Sequence, residues 1–284
     1  MLRRTLLLAL VLALMPLISR GAVADELPKQ ITIATEGAYP PWNFVKPDGT
    51  VAGYEIDLIN ALCPRMKIEC KVVTQDWDGI IPGLTVGKYD AIIASMGVTE
   101  ERKKVVAFSI PYAKAPNGFL TAGGGSLASL PGAGSSFDLT KSPTEASRAI
   151  DELKAPLKGK TIGVQTGSTA AYFADANMKD LKVVQYPSFE QLGLELTGGR
   201  IDVAIANVTA FKAVIDANPK GALVLTGPTF SGGVLGLGTI NVALRPADET
   251  LRKAFDAAID AVNQDGTNKA LCEKWFGVDI SIHN

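Results

Sequence analysis

Apolar residues are spaced differently in different parts of this chain. A nearly continuous apolar run, interrupted by Pro16, fills residues 6–18 behind Arg3 and Arg4. From residue 31 onward the pattern breaks into short alternating and helical segments. Residues 31–35 alternate as a strand, and 45–54 read as a hairpin around Asp48-Gly49. Ile56, Ile59 and Leu62 fall at helical spacing within 55–62, and 71–75 form another strand. Strands alternating with helices predict a mostly parallel sheet.

One pattern occurs twice. Leu84-Thr85-Val86-Gly87-Lys88-Tyr89-Asp90-Ala91-Ile92-Ile93-Ala94 runs into Ser95, and Leu196-Thr197-Gly198-Gly199-Arg200-Ile201-Asp202-Val203-Ala204-Ile205-Ala206 runs into Asn207. Each reads as a helix end, a glycine turn and a buried strand. A weaker echo pairs Thr32-Ile33-Ala34-Thr35-Glu36-Gly37 with Thr161-Ile162-Gly163-Val164-Gln165-Thr166-Gly167. Repeats this far apart predict two similar α/β lobes, since solenoids repeat at shorter periods. Ligands of such sheets bind beyond the carboxyl ends of the strands, which is where Glu36, Ser95, Gln165 and Asn207 fall. The Gly/Ser-rich stretch 123–134 reads as a surface insertion in the second lobe. It precedes a helix over 142–153 that Ser142 and Pro143 would start. No Gly-Lys-Ser/Thr follows these glycines, so they do not read as a phosphate loop.

Composition narrows the chemistry. The sole histidine is His283, next to the C-terminus, which argues against a Ser-His-Asp or Cys-His site and against a His-ligated metal. A formal net charge of −1 gives no footprint for nucleic acid. The basic start, the short apolar run and Ala22-Val23-Ala24 describe a secretory signal peptide over residues 1–24, cut after Ala24. The run is shorter than the roughly 18 residues of a membrane span. Removing it leaves 25 basic and 29 acidic side chains. Export implies an oxidising compartment. Cys63 and Cys70 are spaced for a small local disulfide, while Cys272 is left over, either as a buried free thiol or as half of an intermolecular bridge.

The strand ends carry the candidate chemistry. Thr99 suits a helix N-cap, followed by Glu100 and Glu101 in the first turn. Arg102 belongs either to a solvated charge run or, with backbone N–H groups of Ser95 to Thr99, to an anion site. Gly167-Ser168-Thr169 before 170–178 is the mirrored arrangement, read as plain capping or as hydroxyl and N–H donors to a carboxylate. Tyr39, Trp42 and Trp77 fall on loops after strands. Trp42 reads as core, whereas Tyr39 and Trp77 suit a flat cation, with Glu36 supplying its counter-charge.

At these residues the chain resembles the periplasmic solute-binding proteins of polar amino acid ABC importers (family 3), and among them the opine (octopine and nopaline) binders. The motifs are Ala38-Tyr39-Pro40-Pro41-Trp42, Gly53-Tyr54-Glu55-Ile56-Asp57-Leu58, the run from Asp90 to Arg102, and Asp265-Gly266-Thr267 with Lys274-Trp275-Phe276. The likeness covers essentially the whole chain after the signal. It implies the type II periplasmic binding protein fold, two α/β lobes joined by two crossing strands, with ligand trapped as the lobes close. Lobe 1 would be 25–116 plus 236–284, and lobe 2 117–235. It implies a Cys63–Cys70 disulfide, an inner-membrane ABC permease as partner, a monomer, and no cofactor.

Carried over by position, Tyr39 and Trp77 match the aromatic sandwich, Glu36 the acid that meets a cationic side chain, and Ser95 and Arg102 the α-carboxylate clamp. Thr169, flanked by Ser168, matches the clamp's lobe-two partner, and Gln165 also contributes from lobe 2. The departures set the expected ligand. Asn207 stands where amino-acid binders place Asp, and Ala94 and Gly97 stand where basic-amino-acid binders commonly have Ser. Asn tolerates an α-nitrogen carrying a second acid arm, and Gly97 leaves room for bulk. The expectation is therefore an opine or arginine-like ligand, with plain basic amino acids behind it. An exported dehydratase on the same fold is a remoter alternative, because a general acid or base would be needed and Glu36 is the one obvious cleft carboxylate. A receptor sensing module would need a membrane segment after the domain.

Overall fold

The computed structural model describes residues 26–282; residues 1–24, expected from the sequence to be a signal peptide, and His283 lie outside the described residues. Two mixed sheets organise the chain. The first has the order 69–74, 30–35, 91–92, 239–244, 107–114, and the second the order 182–186, 161–165, 203–207, 117–122, 223–231, 136–138. In both, the first strand of the repeat lies between two parallel neighbours, and the third then pairs with an antiparallel strand. A three-stranded ribbon of Ala38–Tyr39, Asn43–Val45 and Val51–Ala52 sits beside the first sheet and contains the expected hairpin.

The repeat has a physical basis. Asp90 Oδ2 accepts from Thr32 N at 2.9 Å, and Asp202 Oδ2 accepts from Thr161 N at 2.8 Å. Each Asp therefore ties the start of its strand to the neighbouring strand. Gly87 and Gly199 hold φ of 78° and 67° ahead of those strands, a region costly for residues with a Cβ.

Both cores are aromatic. Trp42, Tyr54, Tyr112 and Phe255 are fully buried in lobe 1, as are Phe119, Phe173 and Phe230 in lobe 2. Gly53 starts the Tyr54–Met66 helix at φ 128°, where a Cβ would meet Trp42 O at 2.3 Å; only glycine lets the helix start against the ribbon. The Cys63–Cys70 disulfide joins that helix to the Glu69–Thr74 strand, and Cys272 is buried and free.

Two local expectations need correction. Ser142 does precede the Pro143–Leu157 helix, but its hydroxyl donates back to Asp138 O at 3.1 Å and does not cap the helix. The stretch at 123–134 is more than a surface insertion. Leu127 and Leu130 are buried, and Thr226 Oγ1 donates to Leu127 O (2.8 Å) and accepts from Leu130 N (3.0 Å), which fastens the loop to the sheet.

The chain passes twice between the sheets, side by side: Ala115 N donates to Gly238 O at 2.9 Å, and Thr239 and Ile240 pair with Lys114 and Ala113. Contacts also cross directly. Trp42 Nε1 donates to Thr209 Oγ1 at 3.0 Å, and the rings of Tyr39 and Phe189 lie 4.6 Å apart. The lobes are thus in contact, and their strand ends face one cavity.

Candidate functional site

That cavity, with the open solvent at its mouth included, encloses about 580 Å³ of atom-free space. All eleven residues expected at the site from the sequence line it: Glu36, Tyr39, Trp77, Ala94, Ser95, Gly97 and Arg102 from lobe 1, and Gln165, Ser168, Thr169 and Asn207 from lobe 2.

One end is acidic. Glu36 follows the Gln30–Thr35 strand, is 6% exposed, and accepts from Gln165 Nε2 at 2.6 Å. Burial pushes its carboxyl up to about 7; the Gln165 bond opposes this, and Glu55, Asp76 and Asp78 add to it. Among the described residues no cation pairs with it. Tyr39 lies on the ribbon with its ring against Phe189, and burial pushes its phenol well up.

The other end is basic. Arg102 is 6% exposed and is not part of a solvated charge run; its neighbours Lys103 and Lys104 make the surface pairs, with Glu100 and Glu101. Its guanidinium donates to two carbonyls, Gly97 O at 2.8 Å and Gly167 O at 3.2 Å, and lies 5.2 Å from the Trp77 ring centre. Burial brings its pKa down to about 10. No carboxylate pairs with it among the described residues. A buried guanidinium held only by neutral partners is the electrostatic complement of an anion.

The loop at Ser95 departs from the expected geometry. Ser95 N donates to Glu55 Oε1 at 2.6 Å and is not free for an anion, while Thr99 is the expected N-cap, its hydroxyl accepting from Arg102 N at 3.2 Å. Ser95 holds φ 48°, in the left-handed region. Its hydroxyl lies 3.4 Å from Asn207 Nδ2, across the cavity. Trp77 is not on a loop but opens the Trp77–Thr85 helix, which brings its ring to Arg102.

On lobe 2, Ser168 caps the Thr169–Asn177 helix by accepting from Ala171 N at 3.1 Å. Thr169 Oγ1 accepts from Asn117 Nδ2 at 3.4 Å. Asn207 Oδ1 accepts from the Thr209 N–H (3.0 Å) and hydroxyl (2.8 Å). Ala94 is buried in the wall. A Cβ at Gly97 would sit in ordinary contact with Thr169 (3.7 Å), Thr239 O (3.8 Å) and Arg102 (3.9 Å), so the space this glycine leaves is that of about one methyl group.

Sequence reasoning passes over Asn117 and Glu55. Asn117 starts a strand just past the first crossing, and its side chain lines the cavity. Glu55 stands in one of the motifs as an apparent helix-face acid. It is fully buried, takes bonds from Asn43 Nδ2, Ser95 N and Tyr112 Oη, and burial pushes it up to about 7.

Comparison with known proteins agrees with this geometry. Residues 31–278 match the model of the bacterial extracellular solute-binding proteins, family 3. The octopine-binding periplasmic protein of Rhizobium meliloti is 40% identical over 281 residues, covering 92% of this chain and 94% of its own. The L-arginine-binding protein of Pseudomonas aeruginosa is 34% identical over 255 residues, covering 89% and 90%. Among solved structures, an ancestral arginine-binding protein bound to arginine is 31% identical with a TM-score of 0.73, covering 89% of this chain and 100% of its own.

Proposed function

Since the chain belongs to the bacterial extracellular solute-binding proteins of family 3, we propose that it is the periplasmic ligand-capturing component of an ABC importer and takes an opine such as octopine. The observation that carries this reading is the pair of opposite buried charges, Arg102 and Glu36, each lining the same cavity without an ionic partner among the described residues. A ligand with a carboxylate at one end and a guanidinium at the other satisfies both.

In this reading Arg102 holds the carboxylate, with the hydroxyls of Ser95, Ser168 and Thr169 around it. Glu36 pairs the guanidinium, which restores the ionised carboxylate that burial disfavours. Tyr39 and Trp77 flank the arginine-like chain with the ring faces not used by Phe189 and Arg102. Gln165 and Asn207 reach across from lobe 2, so the full contact set exists only when the lobes are together. The protein carries its ligand unchanged to a membrane permease, after removal of residues 1–24.

Two observations favour an opine over a plain amino acid. Asn207 presents no negative charge to a nitrogen that bears a second acid arm. Gly97 adds no side chain to the wall beside Arg102, where a Ser would occupy the methyl-sized space and leave less for the ligand. The relative named for octopine is also the more similar of the two reported. The test is calorimetric titration of the processed protein with octopine, nopaline and arginine in parallel. The expected result is tight octopine binding with arginine at least about tenfold weaker, or ~1.4 kcal/mol. Equal or tighter arginine binding would overturn the opine assignment, and silence from all three would overturn the pocket reading.

A further inference from the structure

Beneath the cavity floor runs a polar relay that ligand capture does not by itself require. Gly37 N, in the peptide after Glu36, donates to Asn43 Oδ1 at 2.6 Å. Asn43 Nδ2 donates to Glu55 Oε2 at 2.6 Å. Glu55 Oε1 accepts from Ser95 N at 2.6 Å and from the Tyr112 hydroxyl. Asn43, Glu55 and Tyr112 are all buried, and Glu55 is at 0% exposure. Tyr112 lies on the strand that runs into the first crossing between the lobes, and Asn268 Nδ2 donates to its carbonyl at 2.8 Å.

The donor pattern explains why a carboxylate stands there. Two fixed backbone donors, Gly37 N–H and Ser95 N–H, face each other through two side chains. The first linker, an amide, gives its oxygen to Gly37 and its NH₂ to the second. The second must then accept on both sides, which an amide cannot do and an ionised carboxylate can. The backbone at both ends is unusual: Gly37 at φ 76°, with Thr74 Cγ2 2.7 Å from where a Cβ would stand, and Ser95 at φ 48°. A left-handed non-glycine residue persists where its surroundings over-determine it.

We propose that Glu55 is a positioning residue that sets, through one carboxylate, the backbone at both the cation end (Glu36-Gly37) and the anion end (Ser95) of the ligand site. It touches no ligand. The spacing between the two ends is held by a single buried group rather than by two independent loops. This rests on the reading of the cavity as a site for a ligand charged at both ends, but the relay has a readout that needs no ligand.

Glu55→Gln in the full processed chain breaks the relay, because in every combination of amide orientations one link sets N–H against N–H, at Gly37, between the side chains at 43 and 55, or at Ser95, and the repulsion loosens the chain of bonds between the two backbone ends. The exchange Asn43→Asp with Glu55→Gln restores it. The amide placed at position 55 accepts from Ser95 and donates to the carboxylate placed at position 43, which then accepts from Gly37. Amide hydrogen exchange by NMR on the ligand-free protein should show Gly37 or Ser95 losing at least about tenfold protection in E55Q and regaining it in the exchanged pair. Affinity for arginine and octopine should fall at least about tenfold in E55Q and return to within about threefold in the pair, at comparable melting temperatures. Unchanged protection in E55Q, or a folded exchanged pair no better than E55Q, would overturn the proposal. If E55Q does not fold, the exchanged pair alone decides: wild-type-like amide protection supports the relay and its loss refutes it. If the wild type binds neither ligand, the protection data still judge the relay, while the functional reading fails separately.

Discussion

Removing the charge of Arg102 should separate binding from stability. In Arg102→Met the buried guanidinium is removed, and an apolar chain that ends near the Nε position takes the place of the stem. Burial lowers the Arg102 pKa from 12.5 to about 10, and at ~1.36 kcal/mol per unit this puts the cost of burying the charge at about 3 kcal/mol. The bonds to Gly97 O and Gly167 O and the contact with Trp77 return a similar amount. Charge-assisted bonds contribute about 1.5–3 kcal/mol each and a cation–π contact about 0.5–2 kcal/mol, less what the orphaned carbonyls recover from local rearrangement and water. The ligand-free protein should therefore melt within about 5 °C of wild type, a shift of ~1–2 kcal/mol for a chain of this size. Ligand affinity should fall far more. A buried carboxylate left without its partner loses about 2–5 kcal/mol, roughly 30- to 5,000-fold in Kd. Titration with arginine and with agmatine, which is arginine without its carboxylate, isolates the effect. Arginine should drop to the level of agmatine, and agmatine should hardly change. Arginine or octopine binding within about threefold of wild type, or equal losses for arginine and agmatine, would refute the assignment of Arg102 to the carboxylate.

Further outcomes follow from the other groups. Glu36 stands at about 7 in the folded chain against an ordinary 4.5. Between those values the folded state keeps a proton that the unfolded state has lost, so its contribution is complete below 4.5 and is lost as pH rises through about 7, on the order of 3 kcal/mol. Denaturant melts at about pH 5 and about pH 8 should show this loss, Glu36→Gln should reduce it, and a guanidinium ligand should raise the melting temperature more at the higher pH. Asn207→Asp keeps the acceptor that Thr209 uses, so it should fold normally while shifting preference from octopine toward arginine at least about tenfold; competition titration reads the ratio. The Cys63–Cys70 loop is short, and opening it should remove about 2–3 kcal/mol. A reductant or the double Ser variant should lower the melting temperature by about 5–10 °C and leave Kd within about threefold.

What can be seen in the sequence is what depends on local order. The two Asp-containing repeats place equivalent strand ends in two lobes, and residues at strand ends converge on one cavity because parallel sheets open that way. Glu36, Ser95, Gln165 and Asn207 are legible for this reason, whereas Tyr39 and Arg102 are assigned by the family resemblance. Burial by distant segments is not legible. Glu55 has the sequence surroundings of a surface helix acid, and only the arrival of Tyr112 and Ser95 from other parts of the chain makes it an interior acceptor. Sequence alone points the Ser95 N–H at an anion, yet its left-handed backbone gives that donor to Glu55. Trp77 reads as a loop residue because a helix interrupted by Gly79, Pro82 and Gly83 has weak local propensity; packing of Ile80 and Leu84 overrides it. Leu127 and Leu130 are hidden in a low-complexity stretch whose composition signals exposure.

The two sheets differ in when they can be finished. Every strand of the second lies within residues 117–231, so it can assemble as soon as that stretch has emerged. The first lacks its fourth strand, Thr239–Leu244, which sits between 91–92 and 107–114 and joins them. A chain delivered N-terminus first therefore holds an incomplete lobe 1, with two unjoined strand edges, until nearly the whole polypeptide has been released. The second lobe can fold as an insert while the first waits. Truncation from the C-terminus accordingly removes an interior strand of lobe 1 before it touches any strand of lobe 2, and such fragments should retain one folded half and expose unpaired edges on the other.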